Sequence, residues 1–481
     1  MGFNSFVFLI FFIIVYGLYM AINNDKKNFK WQNRLLLLAS LVFYGFWDCR
    51  FLSLLLFSTW VAYACGFEIG NTNDPKRKKY FLVLGITTKL CILGFFKYYN
   101  FFAENLQALF NVFGLHMSLV HLNIILPLGI SFYTFQTMSY IFDVYRNEAE
   151  VTANFFDFAL FGSFFPQLVA GPIERAKQLL PQVRARRTIT RQHIQEGCYL
   201  ILWGYFLKVF AADNLAHIVN PVFDAPAPYN GVQVLMAMYA FTFQIYCDFA
   251  GYSNIACGLA RLMGFQLMDN FFLPFFVTNI REFWRRWHIS LMSWLRDYLY
   301  IPMGGSRVSW GRRYINLLVV FFLSGLWHGA RWNFIFFGVY HGTLMVAYLI
   351  YKKRFPGQPS KIMRPAVFWT KAIVMFHIVA VGMLLFRAQS AAQIGQMLEA
   401  LAGNFHLAQS ITLFSFLKLA VNLVWSIWLI VLLEYIQFKK NDLRAVLHLP
   451  WMAQGCIYFL LIFILLTFGV GGGQEFIYFQ F

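Results

Sequence analysis

Ile315-Asn-Leu-Leu-Val-Val-Phe-Phe-Leu-Ser-Gly-Leu-Trp327 and Trp332-Asn-Phe-Ile-Phe-Phe-Gly-Val-Tyr-His-Gly-Thr-Leu-Met-Val-Ala-Tyr-Leu-Ile-Tyr351 are separated only by His328-Gly-Ala-Arg331. Neither run alternates polar with apolar residues, so both read as helices rather than strands. About 20 apolar residues are what a helix needs to cross the hydrocarbon core of a bilayer. Similar runs cover residues 6–22, 35–47, 51–69, 80–99, 122–142, 155–170, 194–212, 232–262, 366–386, 413–436 and 451–470. The expected fold is an all-α polytopic membrane protein with about 11–13 transmembrane helices, accompanied by re-entrant or interfacial helices.

Composition points the same way. Of 481 residues, 59% are apolar and 12% charged, against about 45–50% and about 25% in soluble domains. Disorder and nucleic-acid binding are thereby disfavoured. The net charge of +18 would suit a polyanion ligand in a polar protein. Here the cations lie between apolar runs, which is how a membrane protein sets its topology. Run 6–22 has no positive n-region before it and no small-residue cleavage site, so it reads as a retained span rather than a signal peptide.

Positive charge concentrates at 26–34, 76–79, 175–191, 352–364 and 439–444, segments that the positive-inside rule assigns to the cytoplasm. Counting spans between them puts the N-terminus and the last residues outside. Run 155–170 breaks that count and is expected to re-enter, since Pro166 and Pro172 interrupt a helix there. Residues 101–114 read as an amphipathic interfacial helix. No linker divides the chain, so it is expected to form one membrane domain. Within it, 1–120 supplies N-terminal helices, 121–351 the core with the active site, 352–470 C-terminal helices, and 471–481 a Gly-rich linker with an aromatic motif.

The stretch 281–313 carries seven Arg, two acids and His288 among aromatics. Charged groups are too costly to face lipid, so it either lies flat on the cytoplasmic face or re-enters to line a polar cavity. His328 sits between two apolar runs. Desolvation favours the neutral, proton-accepting imidazole, which makes it a candidate general base. His341 lies 13 residues further on, and helix-to-helix hydrogen bonding is the plain alternative for both. No HxxxH, HExxH or paired carboxylate accompanies these histidines, so no metal site is expected. No GxSxG elbow or GxxxxGK phosphate loop occurs either. The seven cysteines lack CxxC spacing and read as structural thiols.

Several segments resemble motifs of the membrane-bound O-acyltransferase family, in particular its bacterial branch typified by the alginate O-acetyltransferase membrane subunit. They are Leu126-Pro-Leu-Gly-Ile-Ser-Phe132, Phe165-Pro-Gln-Leu-Val-Ala-Gly-Pro172, Glu282-Phe-Trp-Arg-Arg-Trp-His-Ile-Ser290, Arg296-Asp-Tyr-Leu-Tyr-Ile-Pro302, Gly325-Leu-Trp-His-Gly329 and Phe476-Ile-Tyr-Phe-Gln-Phe481. The resemblance runs from Leu126 to the last residue. It implies a helical core around a central tunnel, in which an acyl donor meets a hydroxyl acceptor at His328, with His288 as the second family histidine. Relatives commonly carry a second acid where Asn254 stands, so a two-carboxylate role for the segment around Asp248 is in doubt. Asp248 and Tyr252 are expected to hydrogen-bond between helices.

The resemblance further implies acetyl-CoA as donor substrate, with no permanently bound cofactor. It also implies a bacterial cytoplasmic (inner) membrane location, an extracytoplasmic acetyl-transferring partner protein, and a polysaccharide acceptor such as alginate or peptidoglycan. Backbone amides near Gly325 or Gly329, or the His288 imidazole, are expected to donate to the developing oxyanion. Tyr478 is a candidate acyl relay, its alternative being an aromatic interfacial anchor. D-alanyl or other acyl transfer to an envelope polymer is the alternative chemistry, and a transporter or flippase without acyl chemistry is the alternative class.

Overall fold

Apolar sequence without alternation becomes helix throughout. The computed structural model describes residues 1–22, 29–115, 119–356, 364–403, 413–471 and 475–477, and among these there is no strand. Seven of the described helices are long and apolar enough to cross a membrane: Arg50–Asn71, Pro75–Val112, Gly231–Leu262, Trp332–Arg354, Pro365–Arg387, Phe416–Lys440 and Trp451–Phe468. The polytopic helical class holds. Several other expected runs form shorter or more polar helices, such as Phe6–Ile22, Phe29–Gly45 and Arg191–Tyr205.

The chain divides into two compact units. The first comprises Met1–Gly197 with Ala256–Met268. Its helix expected over 122–142 starts only at Ile130, because Pro127 lacks an N–H and restricts the residue before it. The interfacial helix expected at 101–114 is not separate. Helix Tyr99–Val112 continues from Pro75–Leu93 through a π-helical turn, Gly94–Tyr98. Run 155–170 holds a nine-residue helix, Phe155–Ser163, capped by the Asn154 side chain and too short to span. Arg187, in a basic segment that the positive-inside rule assigns to the cytoplasm, is buried. Its guanidinium donates to Tyr19 Oη, Asn33 Oδ1 and Gln32 Oε1 at 2.9, 2.8 and 3.1 Å, tying the first two helices together.

The second unit comprises Cys198–Ile255 with Asp269–Phe481. Its central feature is a hairpin of Trp310–His328 and Trp332–Arg354. A Cβ on Gly325 would run into the Phe334 carbonyl, and one on Gly338 into that of Phe321. Glycine at both positions lets the two backbones touch, as in small-residue membrane interfaces. The Arg-rich stretch forms two seven-residue helices, Ile280–Arg286 and Ile289–Leu295, then a π-helical turn, Arg296–Tyr300.

Candidate active site

The hairpin ends its first helix at His328, with Gly329 extended behind it. The imidazole is buried and ringed by aromatics, with centroids 5.2 Å from Trp327, 5.2 Å from Phe386 and 5.9 Å from Phe337. The ring of His288 lies 6.1 Å away. The two histidines, 40 residues apart in sequence, are therefore neighbours in the buried interior. His328 also sits at a helix C-terminus, where the aligned carbonyls favour positive charge. That placement suits a base that becomes imidazolium on taking a proton.

His288 occupies the junction of the two short helices at φ 45° and ψ 52°, a left-handed conformation that a residue with a Cβ adopts rarely and at a cost. One side chain holds it there. The Ser290 N–H and hydroxyl both donate to Asn270 Oδ1, at 3.2 and 2.9 Å, and the Ile289 N–H donates to the Asn270 carbonyl at 2.9 Å. Because a backbone N–H needs an acceptor, Oδ1 is fixed as the amide oxygen. His288 Nδ1, 3.2 Å from the same oxygen, must then be the protonated nitrogen. Neutral His288 consequently carries its lone pair on Nε2.

Neither neighbouring helix is long enough to span. Burial first, and the proximity of His328 second, hold the His288 pKa well below the usual imidazole range. The ring is thus neutral near pH 7 and acts through Nε2 as an acceptor. In this tautomer Nε2 accepts, so the neutral ring would not donate to an oxyanion through that nitrogen. Gly325 does not supply that donor either, since it lies inside a helix where its N–H belongs to the helical ladder.

A cavity of about 330 Å³ in the same unit is lined by Arg281, Arg285, Arg296 and Arg313 together with Ser293 and Ser306, and neither His288 nor His328 belongs to its lining. Ile289, the residue after His288, and Phe321, on the helix that ends at His328, also face it. Four of the seven arginines of 281–313 thus line a cavity.

His341 is fully buried, and its ring meets Trp284, one of the residues lining that cavity, edge-on at 4.9 Å. Among the described residues neither of its ring nitrogens has a hydrogen-bond partner. Asp248 bonds Lys208 Nζ at 2.7 Å, across from one helix to another, and Tyr252 packs edge-on against Phe476 at 4.8 Å. Tyr478 lies outside the described residues.

Sequence reading missed Asn270, Lys208 and Asp213. Asn270 gave no periodic signal because it lies in a non-helical segment. Lys208 was visible as a lone charge inside an apolar run, which is a functional signal by default in a membrane protein.

Two buried imidazoles face each other, one of them oriented by an amide, and the same unit holds a guanidinium-lined cavity. The chain belongs to the MBOAT, or membrane-bound O-acyltransferase, family, whose sequence profile matches residues 65–386. It is therefore an acyltransferase and a multi-pass membrane protein. The match starts well before Leu126 and stops at Phe386, so the final aromatic motif lies beyond it.

Among similar proteins, a probable alginate O-acetylase AlgI of Pseudomonas aeruginosa is 41% identical over 403 residues, covering 83% of this chain and 75% of the relative. A peptidoglycan O-acetyltransferase of Helicobacter pylori is 34% identical over 431 residues, covering 83% and 80%. A teichoic acid D-alanyltransferase of Bacillus subtilis is 28% identical over 281 residues, covering 55% and 69%.

Proposed function

We propose that this protein is an O-acetyltransferase of the bacterial inner membrane. In this reading it takes acetyl groups from cytosolic acetyl-CoA and supplies them, through an extracytoplasmic partner protein, to hydroxyls of an envelope polysaccharide of the alginate or peptidoglycan kind. What supports the reading is the buried His288–His328 pair, with Ile289, the residue after His288, on the wall of a cavity lined by four arginines. A thioester bearing phosphates suits such a cavity, because guanidinium groups match phosphate oxygens in both geometry and charge.

In this mechanism His328 takes the proton of an acceptor hydroxyl as its oxygen bonds the acetyl carbonyl carbon. The tetrahedral intermediate then collapses with cleavage of the C–S bond. The proton passes to the departing thiolate, giving an O-acetyl ester and free CoA thiol. His288 Nε2, an acceptor, stabilises the imidazolium of His328 while it holds that proton. The first acceptor is assigned to the Tyr478 phenol, which passes the acetyl group onward.

Membranes supplied with radiolabelled acetyl-CoA and a panel of envelope polysaccharides test the reading. Label should appear as alkali-labile ester in one polymer and be absent with His328→Ala. Label transfer at the wild-type rate by a folded His328→Ala protein would overturn it, and transport retained without any acetyl transfer in the wild type would favour a transporter. Tyr478→Phe removes only the hydroxyl, so full polymer acetylation by that variant would reduce Tyr478 to an anchor.

A further inference from the structure

Lys208 is enclosed, and its ammonium lies 2.9 Å from Asp213 and 2.7 Å from Asp248. All three side chains are at most 3% exposed. Burying a charge cluster costs more than packing the same space with apolar side chains, so a purely structural joint would not need it. The cluster's other neighbours belong to the last residues of the sequence. The Ile477 N–H donates to Asp248 Oδ2 at 2.8 Å, and the Glu475 carbonyl lies 3.5 Å from Lys208 Nζ. Between them the Phe476 ring rests 4.7 Å from the same ammonium and edge-on to Tyr252.

Lys208 itself sits in a π-helical turn, Phe206–Ala212, a feature frequent at functional sites. That turn and the residue after the next also grip the chain before the glycines. The Val470 N–H donates to the Val209 carbonyl at 3.1 Å, and Asn214 Nδ2 donates to the Phe468 carbonyl at 3.0 Å. Four of these contacts read main-chain groups of the tail, and only the Phe476 ring reads a side chain. An aromatic anchor in a lipid interface needs none of the four.

We infer that the Lys208–Asp213–Asp248 cluster is a docking socket for the carboxy-terminal peptide, and that its side chains are positioning residues that set where the residues after Ile477 are presented for acetyl transfer. The inference rests on the relay reading of Tyr478 for its purpose, but the docking is measurable without it. Asp248 fixes the peptide through the Ile477 amide, Lys208 fixes it through the Glu475 carbonyl and the Phe476 ring, and Asp213 completes the charge balance around the ammonium.

The test uses the full-length protein with its four exposed cysteines, Cys49, Cys91, Cys198 and Cys456, changed to serine and a reporter cysteine introduced by Gln480→Cys. Ile477→Pro deletes the amide donor without altering the buried cluster, and Ile477→Val retains it. Ile477→Pro should speed maleimide labelling of the reporter about tenfold or more. In the protein without the reporter it should lower kcat for polymer acetylation by a similar factor, with the KM for acetyl-CoA unmoved, and Ile477→Val should match the parent in both. Asp248→Leu should repeat the Ile477→Pro pattern, but the proline variant decides if Asp248→Leu fails to fold.

Labelling unchanged by Ile477→Pro would overturn the socket. Faster labelling with undiminished acetylation would overturn the positioning role. Full activity of Tyr478→Phe alongside release by Ile477→Pro would remove the relay and leave the docking intact.

Discussion

His288 and His328 on one side, and His341 on the other, are buried to a similar degree in the same unit, yet their surroundings differ in kind. The first two face each other at 6.1 Å, and Asn270 dictates which nitrogen of His288 carries the proton. His341 has rings around it, Phe337 at 4.7 Å and Trp284 at 4.9 Å, and no hydrogen-bond partner among the described residues. All three imidazoles are largely shut off from solvent. A base needs a fixed tautomer and a place for its acquired charge; Asn270 fixes the tautomer of His288, and the helix C-terminus favours charge on His328.

The largest break in this comparison comes from His328→Ala. Removing the base should cut acetyl transfer about 10²- to 10⁴-fold while expression and thermal unfolding in detergent stay near the parent. A folded variant at parental rate would move catalysis elsewhere. His288→Asn comes next, with a loss of about 10²-fold. Asparagine tolerates the left-handed backbone at this position, so the loss would report the missing Nε2 acceptor rather than a broken turn. Parental activity would show that His288 serves the fold alone.

The region around these residues was legible to different depths. The spans and the His328 motif stood out because apolar runs and a short Gly-Leu-Trp-His-Gly sequence are local signals. The tautomer of His288 was not legible, because it depends on Asn270, 18 residues away and across a non-helical segment. Lys208 and Asp248 are 40 residues apart and meet only when two helices pack, so the sequence offered two isolated charges and no pairing. Arg187 shows the same limit, since a basic loop and a buried staple have identical composition.

A smaller effect sharpens the contrast through pH. The His288 pKa is depressed in the folded protein, whereas the unfolded chain takes up a proton below about pH 6.5. The unfolded state therefore binds more protons in acid, and stability falls as pH drops below about 6.5, by up to about 1.4 kcal/mol per pH unit for this one group. Above that pH the dependence vanishes. His288→Asn should flatten the acid limb of unfolding midpoints measured between about pH 6.5 and 5. An unchanged slope would mean that His288 keeps its proton when buried, and with it the ability to donate that the tautomer argument denies.

The smallest effect belongs to His341. An unpaired buried polar group costs about 1–3 kcal/mol, and replacing it with an apolar group of similar shape is close to neutral. His341→Leu should therefore leave acetyl transfer within about threefold of the parent, a difference below about 0.7 kcal/mol in barrier. Its ring instead fills a gap left by a glycine. A Cβ on Gly382 of helix Pro365–Arg387 would overlap His341 Nε2, and the flanking rings leave the imidazole little room to retreat. Gly382→Ala should cost about 1–3 kcal/mol through overpacking. Combined with His341→Ala it should cost less than the sum of the single changes, with a coupling of about 0.5–3 kcal/mol. Strict additivity would mean that the two helices already shift apart to accept the methyl group. If His341→Leu instead abolished transfer while unfolding at the parental temperature, burial among rings would suffice to make a histidine catalytic here, and the hydrogen bond from His288 to Asn270 would lose its standing as the feature that distinguishes the site.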